Sequence, residues 1–224
     1  RAFNETFADF GLPWRWSQAQ YRELLKVTGG KERITHFIRT QAAALTTGKE
    51  VEALVACLHR DKTERYVALI DAGAAGLRPG VERLLDEARK EGVRLAIATT
   101  TSLPNVEALL RASLGSRGPG LFETIAAGDQ VKFKKPAPDI YNMALAALDV
   151  PAASCLAIED SDNGLRSAAA AGLPVLITPS GYTDDQCFSG ALAVVADLDR
   201  AGGAGTSGDG KLHISDLRRL MAGA

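Results

Sequence analysis

The stretch Ile158-Glu159-Asp160-Ser161-Asp162-Asn163-Gly164 decides the fold of this chain. A short apolar run, residues 155–158, leads into the carboxylates, and an alanine-rich amphipathic run, residues 165–172, follows them. This order indicates a strand, then a loop, then a helix. Acidic side chains at the carboxyl end of a strand lie where open α/β sheets bind their ligands. The loop is therefore a candidate binding site in an α/β fold.

The adjacent carboxylates Glu159 and Asp160 leave two interpretations open. They repel each other, so a positive group is expected to offset them, and Mg²⁺ is the natural candidate because it prefers carboxylate and water oxygens. The other interpretation is a solvated acidic loop that caps the following helix. The stretch alone favours neither, so the rest of the chain must decide between a metal site and a helix cap.

The composition is that of an ordinary globular protein. The chain has 224 residues, of which 46% are apolar and 24% charged, enough for one large domain or a core with a smaller domain. A net charge of −1 gives no reason to expect nucleic acid or an anionic membrane as a partner. No apolar stretch approaches the ~20 residues of a membrane span. Cys57, Cys155 and Cys187 form neither a disulfide framework nor a metal-ligand pattern, so a reducing compartment and a cytoplasmic location are expected.

The first third of the chain, residues 1–76, contains no strand-like segment and predicts a small helical bundle. Phe3, Phe7 and Phe10 recur at spacings of four and three, which places them on one face of the first helix. Ser17 is the expected N-cap of the second helix. The other predicted helices are residues 18–27, 31–41 and 50–70.

From Leu77 onward, strand-like and helical segments alternate, which predicts a parallel, doubly wound sheet in residues 77–224. The predicted strands are 93–98, 125–127, 155–158, 175–177 and 193–195, the last of them at an edge. The predicted helices are 81–90, 103–114, 138–148 and 164–171.

The end of the chain predicts a short extension to this core. A glycine-rich linker, residues 202–208, precedes a helix over 216–221 for which Ser215 is the expected cap. Residues 205–216 are weakly similar to a calcium-binding EF-hand loop. Gly205 stands at the first ligand position, and most of the anionic oxygens that Ca²⁺ requires are missing, so no calcium site is expected.

Two further strand ends carry polar groups. Thr99, Thr100 and Thr101 follow the predicted strand 93–98, and successive hydroxyls with exposed backbone N–H groups form a natural phosphate cradle. An ordinary helix cap would need only one hydroxyl and is the alternative. Lys135 precedes a proline, whose ring holds the lysine in extended backbone. A fixed ammonium suits a phosphoryl group beside carboxylates, and a solvated basic turn is the alternative.

Hydroxyls, a fixed lysine and paired acids at successive strand ends are far less common together than singly. In combination, Thr99, Lys135 and the Glu159-Asp160 pair predict a Mg²⁺-dependent phosphoryl-transfer site. This order resembles the haloacid dehalogenase (HAD) superfamily, in which these residues match the second, third and fourth motifs. The sequence is most similar to CbbY-like sugar-bisphosphate phosphatases, through the segments 1–7, 28–34, 98–109 and 135–141.

The resemblance implies a HAD-like doubly wound core with a small helical cap domain, residues 1–76. It implies hydrolysis of a small sugar phosphate or bisphosphate, with a pentulose bisphosphate such as xylulose 1,5-bisphosphate favoured. It also implies a monomer, and a location in the plastid stroma if the source is a photosynthetic eukaryote.

The resemblance also implies a role for each site residue, in a reaction that passes through an aspartyl-phosphate. Asp160 would bind Mg²⁺, with Glu159 beside it or acting through a water. Lys135 would orient the nucleophile and offset charge on the phosphoryl oxygens. Thr99, helped by the two threonines that follow it, would bind one of those oxygens.

In relatives, cationic side chains of the cap bind the remainder of the substrate. Arg33 and Lys62 occupy matching places in this sequence, and Lys31 is a secondary candidate beside them. A second phosphate on the substrate explains why a cap would present both a guanidinium and an ammonium. For Lys62 the alternative is one charge in a solvated helix face, residues 61–65.

The superfamily's first motif, Asp-x-Asp-Gly-Thr on a central strand, does not occur in the sequence. Asp160-Ser161-Asp162 has the spacing of the two aspartates but lacks the following Gly-Thr and already occupies the position of the fourth motif. The first strand of the core is therefore expected to be missing, and the chain as written is expected to have no turnover. A sugar-phosphate mutase of the same superfamily and a non-catalytic sensor of phosphorylated metabolites are the alternatives at this point.

Overall fold

The computed structural model describes residues 1–41, 48–202, 206 and 208–223. The first third of this described chain is helical. Its elements, called the cap helices below, are α1 (Ala2–Asp9), α2 (Gln18–Leu24), α3 (Gly30–Gln41) and α4 (Gly48–Asp71). The fully buried side chains that they share are Phe7, Ile34, Ile38 and Leu58. Helices thus occur where the sequence predicts them, and the domain boundary near residue 76 stays a prediction.

Aromatic packing fixes α1 against its neighbours. The Phe7 ring packs edge-on against Trp14 and Trp16, with ring centroids 5.4 and 4.9 Å apart. Phe10 does not join this cluster and is 40% exposed. The sequence predicted Phe10 on the same helical face as Phe3 and Phe7, but α1 ends at Asp9 and Phe10 is its C-cap residue.

The rest of the described chain alternates helices and strands. Its elements are α5 (Val81–Lys90), β1 (Ala96–Ala98), α6 (Leu103–Leu114), β2 (Thr124–Ala126), α7 (Asp139–Leu148), β3 (Ala157–Glu159), α8 (Asp162–Ala170), β4 (Val175–Ile177), β5 (Ala193–Val194) and α9 (Ile214–Ala222). β1 pairs with β2 in parallel, and β3, β4 and β5 form a parallel three-stranded sheet in that order. Parallel strands joined through helices confirm the predicted α/β class. None of the described helices is long and apolar enough to span a bilayer.

β4 lies at the centre of the larger sheet and is buried along its whole length. Val175 and Ile177 pack with side chains of α7 and α8, whereas Leu176 packs with those of α5 and α9. Because alternate residues of a strand point to opposite faces, helices cover both faces of this sheet. The sheet as a whole is in two parts. No pairing joins β1 to β3 within the described residues, and Ile158 of β3 is 42% exposed.

β1 is shorter than predicted, since residues 93–95 lie outside it. The chain leaves α5 through Gly92, whose φ is +67°. The backbone N–H of Val93 then donates to Ala88 O at 2.8 Å and so closes the end of the helix. An N–H group that closes a helix is not available for a strand ladder, so pairing starts later.

α9 begins earlier than predicted. His213, rather than Ser215, is its N-cap, and Asp216 Oδ2 accepts the backbone N–H of His213 at 2.9 Å. Glu87 of α5 accepts the backbone N–H of Ile214 at 3.0 Å. That second partner is distant in the sequence, so the local pattern could not show it. Residues 203–205 and 207, which belong to the predicted linker and the EF-hand-like segment, lie outside the described residues.

Phe7→Ala is expected to lower the free energy of unfolding of the cap helices by about 3–5 kcal/mol, because it removes a fully buried ring. Phe10→Ala, on an exposed ring next to the same helix, should change that free energy by less than about 0.5 kcal/mol. Both tryptophans of the chain, Trp14 and Trp16, pack in this cluster, so urea unfolding followed by tryptophan fluorescence reports on it selectively. Equal effects of the two substitutions would contradict this description of the core.

Candidate active site

The side chain of Lys135 joins the carboxyl ends of β1 and β3. Its Nζ donates to the carbonyl of Ala98, the last residue of β1, at 2.9 Å. It also donates to Oε1 of Glu159, the last residue of β3, at 2.5 Å. Only 8% of Lys135 and 9% of Glu159 is exposed. The structure therefore brings two of the predicted site residues together, and Lys135 is not part of a solvated turn.

The Glu159 carboxylate is enclosed on three sides. The hydroxyl of Tyr141 donates to the same oxygen as Lys135. Burial, and secondly the negative charge of Glu159, raise the pKa of Tyr141, so its hydroxyl stays protonated. Gly164 lies against the other oxygen, since a Cβ at this position would fall 2.0 Å from Glu159 Oε2. Tyr141 and Gly164 are site residues that the sequence reasoning missed: Tyr141 was signalled only by its place in the resemblance segment 135–141, and Gly164 only as the last residue of the stretch 158–164.

The acidic loop caps the following helix, but through Ser161 and not through its carboxylates. The N-cap of α8 is Ser161, whose Oγ accepts the backbone N–H of Gly164 at 3.2 Å. The side chains of Glu159 and Asp160 are therefore not needed to cap α8. Glu159 faces the buried lysine, whereas Asp160 is exposed.

The Asp160 carboxyl lies in surroundings that favour a nearby cation. Although the residue is exposed as a whole, its pKa is raised, first through desolvation by nearby protein atoms and secondly by the negative charge of Glu159. A positive ion beside it would offset both effects. The described residues contain no group of three His, Cys, Asp or Glu side chains that could hold a metal by themselves. Mg²⁺ keeps several waters and needs only one or two carboxylates plus substrate phosphate, so Asp160 with Glu159 behind it fits that ion.

The loop after β1 is held in one conformation by its neighbours. Thr99 Oγ1 accepts the backbone N–H of Thr101 at 3.2 Å, and Thr101 Oγ1 accepts a bond from Asn105 Nδ2 at 2.9 Å. Gly128 lies directly against the loop, because a Cβ there would fall 2.2 Å from Thr100 O. The N-cap of α6 makes no side-chain capping bond, so these hydroxyls are not an ordinary helix cap. The sequence reasoning gave no role to Asn105, although it lies in the resemblance segment 98–109, and nothing in the pattern pointed to Gly128.

The guanidinium of Arg33 is engaged within the cap helices. Nε donates to Leu24 O at 3.0 Å and Nη2 donates to Val27 O at 3.1 Å. The guanidinium carbon lies 5.4 Å from the centre of the Tyr21 ring. Burial lowers the pKa of Arg33. Because the two carbonyls belong to the end of α2 and the turn after it, Arg33 braces the connection between α2 and α3.

Lys62 is not part of a solvated helix face. Its Nζ lies 4.8 Å from the centre of the Tyr66 ring and 5.4 Å from that of Phe3. Burial, and secondly the positive charge of Arg33, lower the pKa of Lys62 to about 8. Lys62 forms no hydrogen bond or ion pair with any described residue. Neither Lys62 nor Arg33 forms an ion pair with a carboxylate of the described residues, and the charge of Arg33 is near enough to lower the pKa of Lys62.

The cap helices contact the core at the candidate site itself. The hydroxyl of Thr28 donates to the backbone carbonyl of Lys135. Lys31 Nζ lies 3.6 Å from Oδ1 of Asp129, in the turn after β2. These contacts place the connection between α2 and α3 over the carboxyl ends of the strands. A ligand at those strand ends would be covered by the cap helices.

The family model of haloacid dehalogenase-like hydrolases matches residues 1–172 of this chain. The chain therefore belongs to the haloacid dehalogenase-like hydrolase family.

Within that family, the chain is CbbY-like. It is 51% identical to protein CbbY of Cereibacter sphaeroides over 203 residues, which are 91% of this chain and 86% of that protein. The crystal structure of CbbY from Rhodobacter sphaeroides with phosphate has a TM-score of 0.86 and 48% identity, over 97% of this chain and 90% of that one. An Asp-to-Asn mutant of that CbbY, in complex with xylulose-1,5-bisphosphate, has a TM-score of 0.83 and 49% identity, over 95% and 91% of the two chains.

Gly164→Ala is expected to destabilise the protein, although alanine ordinarily stabilises a helix by about 1 kcal/mol relative to glycine. The new Cβ would displace the Glu159 carboxylate from Lys135 and leave buried charges unpaired. Gly48→Ala is the matched control, because Gly48 begins α4 and a Cβ there meets no atom within 4 Å. Thermal unfolding should give a lower Tm for Gly164→Ala and an unchanged or higher one for Gly48→Ala. A higher Tm for Gly164→Ala would show that the carboxylate does not depend on this glycine.

Proposed function

We propose that this protein is a Mg²⁺-dependent phosphate-monoester hydrolase that acts on a small sugar bisphosphate. The observation that carries the proposal is the buried Lys135 ammonium, which lies between the carboxyl ends of β1 and β3 and contacts Glu159. Thr99 follows the first of these strands and Asp160 follows the second. Phosphoryl transfer requires mainly positioning and charge stabilisation, and this arrangement supplies both.

Lys135 has donor capacity left for the reaction. An ammonium group carries three N–H donors. Two of them are used within the described residues, by Ala98 O and Glu159 Oε1. The third would serve a phosphoryl oxygen or the attacking carboxylate. Thr99 Oγ1 and the backbone N–H groups of the following loop would bind a second phosphoryl oxygen.

Asp160 would hold the Mg²⁺ ion. When bound, the ion supplies charge neutralisation at the phosphoryl oxygens. Glu159 would act mainly by fixing Lys135, because its carboxylate already accepts from that ammonium and from Tyr141. A water could still link Glu159 to the ion, as the family resemblance implies.

We further propose that a strand between β1 and β3 carries the nucleophilic aspartate and a second aspartate that acts as acid and base. Three observations support this placement. Lys135 bridges the ends of β1 and β3 although the two strands do not pair within the described chain. Ile158 of β3 is 42% exposed, which is unusual for the interior of a doubly wound sheet. Among the described residues, the buried Ser102 Oγ and Asn105 Oδ1, which follow the loop after β1 in sequence, have no hydrogen-bond partner, as is also true of Trp16 Nε1 and Ser113 Oγ.

The cap helices would bind the second phosphate of the substrate. Lys62 offers an ammonium without a carboxylate partner among the described residues, and Arg33 lies close enough to lower its pKa. Lys31 lies at the contact between cap helices and core. The complex of a CbbY mutant with xylulose-1,5-bisphosphate supports a pentulose bisphosphate as the substrate.

The placement of the nucleophile is tested by adding the proposed strand. Three proteins are compared: the chain from Arg1, the chain preceded by a CbbY strand that ends in Asp-x-Asp-Gly-Thr, and the same extended chain with the first aspartate changed to asparagine. Phosphate release from xylulose 1,5-bisphosphate is measured with and without Mg²⁺. The extended chain is expected to exceed the asparagine control by roughly 10³-fold or more, only when Mg²⁺ is present.

Comparable turnover by the chain from Arg1, or by the asparagine control, would contradict the placement. A phosphorylated product formed without phosphate release would overturn the hydrolase in favour of a mutase. Binding of the bisphosphate without turnover by the extended chain would overturn it in favour of a sensor.

The charge of Lys62 gives a pH prediction. Its pKa of about 8 in the folded protein means that it loses its proton as pH rises through 8. The kcat/KM of the extended chain for the bisphosphate should therefore fall above that pH, by roughly 10- to 100-fold, since a charge-assisted bond is lost. Lys62→Arg keeps its charge and should remove the fall. A pentulose monophosphate, which lacks the second phosphate, is the control substrate. The same pH profile for both substrates would exclude Lys62 as a phosphate ligand.

A further inference from the structure

Arg78 binds the carboxyl ends of two strands of the larger sheet. It lies just before α5, and its guanidinium donates to Thr178 O at 2.5 Å and Thr178 Oγ1 at 3.0 Å. It also donates to Pro179 O at 2.8 Å and to Ala196 O at 3.0 Å. Thr178 and Pro179 directly follow β4, and Ala196 follows β5. The Arg78 side chain thus joins the segments that follow β4 and β5 to each other.

The residues that Arg78 holds are bonded in turn to the acidic loop. The backbone N–H of Thr178 donates to Glu159 O at 2.8 Å. Thr183 Oγ1 donates to Asp160 O at 2.5 Å. Thr183 is itself held in a turn with Ser180, whose N–H donates to Thr183 Oγ1 at 2.9 Å. The backbone carbonyls of Glu159 and Asp160 therefore both accept hydrogen bonds from residues 178–183, the segment whose first two residues are bound by Arg78.

Arg78 also carries an uncompensated charge close to Asp160. It forms no ion pair with a carboxylate among the described residues, and all four of its acceptors are neutral oxygens. Its positive charge acts on the Asp160 carboxyl at a distance. A guanidinium is suited to this double use, because its planar fork holds several acceptors while its charge is retained.

We propose that Arg78 is a positioning residue for the metal-binding carboxylate Asp160. It touches no reacting atom and acts by fixing the backbone from which Asp160 projects. Groups that orient a metal ligand contribute strongly to metal affinity, and their loss typically weakens it by about 10- to 100-fold. This inference rests on the proposed function, since that function assigns the cation to Asp160.

The test compares Arg78→Gln and Arg78→Lys with a matched control, Arg83→Gln. Arg83 also donates to core carbonyls, those of Leu198 and Leu212, each at 2.9 Å, and pairs with Asp199. It has no contact with the acidic loop in the described chain. Loss of either half-buried arginine removes hydrogen bonds to backbone carbonyls, so both substitutions test stability, but only the acceptors of Arg78 are connected to Asp160.

The probe is Mn²⁺, added to the strand-extended protein and its variants, with free ion measured by electron paramagnetic resonance. Arg78→Gln is expected to raise the Mn²⁺ Kd by about 10-fold or more, and Arg83→Gln to leave it unchanged. Arg78→Lys should fall between, because an ammonium keeps the charge but cannot hold four acceptors. In kinetics, Arg78→Gln should raise the Mg²⁺ concentration needed for half-maximal activity more than the KM for substrate.

Backbone amide exchange in the 224-residue chain provides a readout that needs no metal. Exchange should accelerate at the hydrogen-bonded N–H groups of Thr178, Ser180 and Thr183 in Arg78→Gln but not in Arg83→Gln. An unchanged Mn²⁺ Kd in Arg78→Gln, or an equal increase in Arg83→Gln, would overturn the inference. If the unsubstituted extended protein binds no Mn²⁺, the proposed function itself fails, and exchange at Thr178, Ser180 and Thr183 still decides whether Arg78 fixes the segment to which the acidic loop is bonded.

Discussion

The buried contact between Lys135 Nζ and Glu159 Oε1, at 2.5 Å, is the interaction on which the rest of the site depends. Placing two opposite charges in the interior costs desolvation energy that their attraction alone does not reliably repay. The cost is offset here because each charge has a further partner, Ala98 O for the lysine and the Tyr141 hydroxyl for the carboxylate. Buried ion pairs often contribute less stability than an apolar pair of the same shape. The physical reason to retain this one is that it holds a cation at the meeting point of two strand ends.

Several features of the fold follow from that requirement. Gly164 has to lack a side chain because the Glu159 carboxylate lies against it. The cap helices reach the same place, where Thr28 donates to the backbone of Lys135. The hydrogen bonds of Arg78 join the segments that follow β4 and β5, and Thr183 of the first segment donates to the backbone of Asp160. The charged contact thus requires a glycine at position 164, and the cap helices and the Arg78 hydrogen bonds meet the core beside it.

The class of fold and the three strand ends could be predicted from the sequence, because short apolar runs that end in polar residues are local signals. The meeting of Lys135 with Glu159 could not, since it depends on how distant segments pack. Local patterns also failed at α9, whose N-cap is His213 and whose first residue, Ile214, donates its N–H to Glu87 of α5. They failed at Phe10 as well, because α1 ends at Asp9. Arg33 was predicted from the cationic residue at the matching place in relatives, and the backbone carbonyls to which it donates became visible only in the folded chain. The sequence pattern does not show which side chains are buried or which distant residues they contact.

The central claim is that Lys135, Thr99 and Asp160 form one side of a phosphoryl-transfer site that a strand between β1 and β3 completes. A crystal structure of the strand-extended chain with Mg²⁺ and inorganic phosphate tests it most directly. The added strand is predicted to pair in parallel with both β1 and β3, with phosphate oxygens in hydrogen-bond contact with Lys135 Nζ and Thr99 Oγ1 and the metal ion on Asp160. A strand that docks elsewhere, or a phosphate bound away from Lys135, would contradict the claim.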